Sequence, residues 1–278
     1  MHASTVRTLL VRGMVAGVLA GLFAFALAYV AGEPSVRDSI ALEETQSAPA
    51  AHEHAGHTAA EQPAEEEEEL VSRPVQSTFG LATGVLVYGV ALGGIASLVF
   101  SVCLGRIGRF GPRATAALVA GAAFTTVYLV PFLKYPATPP AVGNPDTIGK
   151  RTTLFFLMIV LSVLLAVIAV IAGRRLAPRL GNWNASVVAG AGYVAAVAVA
   201  CLVLPANSDA VRETFPAALL WEFRLASLGV QALLWTAFGL IFGALAERVL
   251  APRAARAASG TGPGTGADGV TPPVGSAR

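Results

Sequence analysis

The sequence predicts an all-α integral membrane protein: a six-helix transmembrane bundle with an acidic, His-bearing outer loop. Three observations predict it. Hydrophobic residues make up 55% of the 278 and charged residues only 13%, against roughly 25% charged in soluble domains. Six stretches carry no charge at all: Gly13–Gly32, Pro74–Gly105, Ala114–Leu133, Thr152–Gly173, Leu180–Ser208 and Leu225–Ala246. Each reaches the ~20 residues that cross a hydrocarbon core of about 30 Å. Finally, the charges are segregated between these stretches. A spanning backbone must satisfy its own polar groups, so each stretch reads as a helix. The helices are expected near 8–32, 79–104, 114–133, 152–173, 184–204 and 222–249, within a membrane domain covering 1–250.

The first stretch follows Arg7 and Arg12. It has some features of a signal peptide, with Ala26-Leu27-Ala28 as a cleavage site, but signal cores run about 7–15 apolar residues and this one is longer. A retained anchor is expected; cleavage would leave five spans. The outer loop, 33–78, holds eleven acidic residues: Glu33, Asp38, Glu43, Glu44, Glu53, Glu61 and Glu65–Glu69. Its Ala-, Glu- and Pro-rich middle is expected to be disordered. Within it, His52, His54 and His57 fall in six residues around Glu53. Neutral imidazoles with a flanking carboxylate bind divalent first-row metals, and the glutamates beside them concentrate cations. The same residues also read as a solvated acidic loop that binds nothing. Such a loop is too flexible to select one metal of that series.

Lys and Arg set the orientation. Arg7 and Arg12, then Arg106, Arg109 and Arg113, then Arg174, Arg175 and Arg179, then Arg248, Arg253 and Arg256 fall on one side of a six-span chain. Arg37, Arg73, Lys134, Lys150, Arg151 and Arg212 fall on the other. The positive-inside rule puts both termini in the cytoplasm of a multi-pass inner-membrane protein. Small residues at four-residue spacing (Gly13/Gly17/Gly21, Gly80/Gly84, Gly89/Gly93, Gly239/Gly243) predict close helix packing within the chain. Cys103 and Cys201 fall at opposite faces, so no disulfide is expected.

Between the third and fourth helices lies an outer cap, 134–151. Pro131, Pro136, Pro139, Pro140 and Pro145 keep its middle out of a helix. Phe132, Tyr135, Val142 and Ile148 need packing partners, so the cap is expected to be structured. Asn144-Pro145-Asp146 is a turn signal, and Asp146 is also a candidate metal ligand. Glu222, beside Trp221 and Arg224 where the sixth helix starts, is another; interfacial anchoring explains it equally well. Glu247 is expected to pair with Arg248 or a neighbouring base. The tail, 251–278, is expected to be disordered. The Gly143–Thr152 run is not a phosphate-binding loop: five residues separate its glycines and Arg151 follows Lys150. The spans contain no histidine and no catalytic constellation, so no enzyme is expected.

Several segments carry a family resemblance. They are LLVRGMVAGVLAG (9–21), LVSRPVQSTFGLATG (70–84), YGVALGG (88–94), the proline-rich VPFLKYPATPPAVGNPDTIGKRTT (Val130–Thr153) and LLWEFRLASLG (219–229). Together they resemble the CbtA family of cobalt transporter subunits from about Leu9 to Leu250. The resemblance implies cobalt uptake linked to cobalamin synthesis, with cobalt(II) as the transported ion and no bound cofactor. It also implies a small His-rich single-span partner, CbtB. No nucleic-acid partner is expected. The residues alone leave two other readings open: transport of another divalent metal such as nickel or zinc, and a non-transporting membrane scaffold or assembly protein.

Overall fold

The architecture is that of a computed structural model describing residues 3–47, 72–140, 142, 147–206, 211 and 215–259, with the side chains of 46–47 and 252–259 excepted. Among these residues there is no strand. Helix α1 (Ala3–Leu27) passes through a π turn (Ala28–Gly32) into α2 (Glu33–Ser47). A short α3 (Arg73–Val75) and a second π turn (Gln76–Gly80) lead into α4 (Leu81–Cys103). Then come α5 (Pro112–Ala123), a third π turn (Phe124–Leu129), α6 (Val130–Lys134), α7 (Ile148–Val203) and α8 (Ala217–Ser259). Five helical stretches are long and apolar enough to cross a membrane: Ala3–Thr45, Arg73–Cys103, Pro112–Lys134, Ile148–Val203 and Ala217–Ala251.

The core is built on a crossing of α1 and α4. A Cβ at Gly17 would collide with the carbonyl of Gly89, and one at Gly93 with the carbonyl of Gly13. The backbones therefore touch, as small residues allow where lipid removes the hydrophobic drive between helices. Helix α8 lies across α1, and α5 lies on α8. Gly239 makes that second contact possible: its Cβ would sit 2.9 Å from Ala120 Cβ. Phe100, Phe238 and Phe242 fill the core between the crossings, with Phe100 and Phe242 edge to face at 5.1 Å. The expected ladders thus pack within the chain, except Gly80/Gly84: Gly80 meets only the Val75 carbonyl of its own helical segment, and Gly84 has nothing within 4 Å.

The end of the bundle near the α1 N-terminus is tied by two arginines. Arg12 donates to the Leu245 carbonyl at 2.8 Å. Arg113 pairs with Glu247 at 2.6 Å, so the neighbouring base expected for Glu247 comes from α5 rather than from Arg248.

Helix α7 is where the expected spans 152–173 and 184–204 meet. Its 56 residues run on without a loop; laid straight they would reach about 84 Å. They do not lie straight. Gly181 has φ 77° and ψ 159°, a left-handed conformation that a side chain resists. There the helix doubles back. Ser162 and Tyr193 share a 2.9 Å hydrogen bond between hydroxyls, and a Cβ at Gly173 would lie 3.2 Å from Ala189 Cβ. Met158 and Ala200 form a second small core with Val130 and Tyr135. This hairpin meets the rest of the chain mainly through α6 and the preceding π turn. Cys103 belongs to the first core, Cys201 to the second, and both are free.

Other boundaries differ from expectation. The first helix does not stop at Gly32; it continues through Glu33 to Ser47, and residues 73–80 are also helical. Both described ends of the acidic loop 33–78 are therefore helix. The last helix continues past Leu250 to Ser259, into the segment expected to be disordered. Pro34 does not stop the first helix, because the π turn before it absorbs the lost hydrogen bond.

The α1–α4 crossing makes a prediction. Gly17→Val should destabilise the protein by about 1–3 kcal/mol through overpacking, whereas Gly84→Val should leave it unchanged. Thermal unfolding of the two variants in detergent checks this; equal midpoints would contradict the crossing.

Candidate functional site

At the end of the bundle away from the α1 N-terminus, Arg73 holds Glu33. The ion pair is 2.7 Å long and Glu33 is only 7% exposed. The pair joins the helical segment leaving α1 to the one entering α4. It therefore clips together the two ends of the acidic segment that carries His52, His54 and His57. Those histidines lie outside the described residues, as does Asp146. The Glu33 carboxylate is taken up by Arg73.

Glu222 is exposed at the start of α8. It lines a groove of about 450 Å³ with Leu27, Ala31, Pro34 and Ser35 on the first helix. Trp221 beside it is 62% exposed, as an interfacial tryptophan would be. Arg224, two residues on, faces the opposite side of the helix. Its Nε donates to the Ala137 carbonyl at 3.3 Å and so fixes the proline-rich cap to α8. Glu222 thus shares an end of the bundle with the cap but faces away from it.

The cap is packed, as its apolar residues required. Val142 and Tyr135 are buried, although Ile148 is half-exposed. The Tyr135 hydroxyl donates to the Pro205 carbonyl at 2.9 Å, tying the cap to the end of α7. Burial raises the Tyr135 phenol above its usual range and keeps it a neutral donor. Beneath the cap lies a pocket of about 380 Å³ walled by Tyr128, Phe132, Tyr135, Thr138, Arg151 and Phe155.

Deeper between the helices is a polar cluster that the sequence reading did not single out. Tyr128, on the π turn that packs against α8, is stacked between Phe124 and Phe132 at 6.2 and 5.5 Å. One turn beyond Gln231, Trp235 is 5% exposed. The Tyr128 hydroxyl, Gln231 Oε1 and Trp235 Nε1 are all buried without a hydrogen-bond partner. Each such group costs about 1–3 kcal/mol when left unpaired. These side chains are neutral, so charge does not mark them in the sequence. The available signal was Gln231, the only amide in the charge-free stretch Leu225–Ala246. Among the described residues no group of three or more His, Cys, Asp or Glu side chains is placed to hold a metal.

A family model described as "Probable cobalt transporter subunit (CbtA)" matches residues 6–247. No curated protein and no solved structure matches the chain.

The Glu33–Arg73 pair is open to a direct test. In a double-mutant cycle of Glu33→Gln and Arg73→Gln, the coupling should be about 1 kcal/mol or more. Chemical denaturation in detergent measures it, and strictly additive effects would mean the pair holds nothing together.

Proposed function

The chain belongs to the CbtA family of probable cobalt transporter subunits, and from that premise we propose that it is the membrane subunit through which cobalt(II) is taken up across the cytoplasmic membrane for cobalamin synthesis. The observation that carries this reading is the reach of the family match, which takes in part of every long apolar helix. Cobalt is cargo in this account and not a resident cofactor.

The architecture supports a specific arrangement. The fold-back of α7 at Gly181 turns five apolar stretches into six crossings. Both termini then lie in the cytoplasm, with Arg12, Arg113 and Glu247 at the inner end. The first helix is retained, because Gly13 and Gly17 are half of the α1–α4 contact. The acidic segment with His52, His54 and His57 collects the cation outside. Asp146 in the cap and Glu222 on α8 supply oxygen ligands near the entrance. A small His-rich single-span subunit of the CbtB kind completes the transporter.

Uptake of radioactive cobalt into proteoliposomes tests the reading, with and without the small subunit and with excess nickel. Saturable uptake that resists nickel is expected. Replacing His52, His54 and His57 with alanine should lower uptake several-fold at limiting cobalt and little at saturation. Uptake that nickel or zinc abolishes would change the metal. No uptake under any condition would favour the scaffold reading.

A further inference from the structure

The α7 hairpin is held to the rest of the chain near the cap, and toward the end of the bundle near the α1 N-terminus the two part. Between them is a cavity of about 490 Å³, walled by α4 and α5 on one side and the first arm of α7 on the other. Its lining is hydrocarbon apart from Cys103, Trp235 and Thr126, and the Thr126 hydroxyl already donates to the Ala122 carbonyl. Ile95, Val99, Val167 and Ile171 along the walls are each roughly half-exposed, so the cavity is a crevice open to the bilayer. On α4 it runs from Leu92 to Cys103, a length of about 17 Å. That matches one leaflet of a hydrocarbon core about 30 Å thick.

The mouth of the crevice is basic. Ile107, just past α4, lines it, and Arg106 and Arg109 stand on either side of Ile107 in the turn to α5. On α7, Arg174 follows the lining residues Val170 and Ile171 by four and three positions, which puts it on the same side of the helix one turn on. All three arginines are exposed. Arg113 is taken up by Glu247, but among the described residues none of these three has a carboxylate partner. Arg106 donates once to the Val102 carbonyl and keeps the other donors of its fork. We infer that the crevice binds one anionic phospholipid, with an acyl chain lying between α4 and α7 and the phosphate held at the mouth by Arg106, Arg109 and Arg174. The apolar walls alone would admit any hydrocarbon; the basic rim is what selects. Guanidinium forks match phosphate oxygens, and basic pockets between transmembrane helices take anionic head groups. The lipid fills the gap that attachment at one end leaves, and the inference does not depend on what the protein carries.

Native mass spectrometry of the full chain, released from detergent micelles holding equal amounts of phosphatidylglycerol and phosphatidylcholine, tests this. Retention of one phosphatidylglycerol in preference to phosphatidylcholine is expected. The double variant Arg106→Gln, Arg174→Gln should weaken that retention by about tenfold or more, through the loss of charge-assisted hydrogen bonds. Val167→Trp, which fills the crevice, should weaken it as well. Arg7→Gln with Arg248→Gln removes as much charge at the same end of the bundle, but on α1 and α8, away from the crevice, and should bind as the parent does. An equal loss in that control would mean a diffuse attraction and would overturn the site. Equal retention of the two lipids would also overturn it, as would retention that Val167→Trp leaves intact. Glycerol phosphate displacing the lipid at equal concentration would leave a phosphate site with no role for the chain. A second copy of the protein bound in place of lipid, and lost in Val167→Trp, would give the crevice to a protein partner instead.

Discussion

The backbone contact between α1 and α4 is the constraint on which the rest depends. Where Gly13 and Gly17 meet Gly89 and Gly93, any side chain would strike a carbonyl. Lipid offers apolar surface as readily as another helix does, so only such close van der Waals contact holds the two together. Once they are locked, α8 lies across α1 and presents Trp235, Phe238 and Phe242 to the core. Helix α5 then seats against Gly239 and Gly243. The first helix is part of the frame.

A second body hangs from this frame. The α7 hairpin has its own small core, and its described contacts to the frame run mostly through α6 and the π turn before it. Attachment at one end leaves room at the other, where Val163, Val167 and Val170 face α4 and α5 across the apolar cavity. The proline-rich cap makes the attachment. Tyr135 fixes it to the end of α7, and Arg224 fixes it to α8. The Arg224 bond uses the carbonyl of Ala137, which the flanking prolines keep out of a helix. The cap is thus a joint between two helical bodies, placed over a pocket.

Much of this was legible in the sequence. Charge-free length located the apolar helices, glycine spacing marked surfaces of close packing without saying that α1 meets α4, and proline with aromatics marked the cap. Glu247 could be given a basic partner, but not the right helix. The rest depends on three-dimensional facts. Charge marks where a stretch turns polar, not where a helix ends, so the continuation from Gly32 to Ser47 was hidden. Glu33 and Arg73 are 40 residues apart, and only folding brings them together. Glu222 and Arg224 look like one motif, yet helix geometry sends them to opposite sides. The Gln231 cluster was missed because its members carry no charge; in lipid, an unpaired neutral amide is signal enough.

These pieces describe a member of a family of probable cobalt transporter subunits whose bundle is held by backbone contact between helices and by a buried ion pair at one end. The central claim is that the contact between α1 and α4 sets the frame on which the other helices seat. An experimentally determined structure of the protein in lipid nanodiscs tests it most directly. The account predicts the Gly17 backbone directly against the Gly89 carbonyl. Side chains or lipid filling a gap between those two glycines would contradict it.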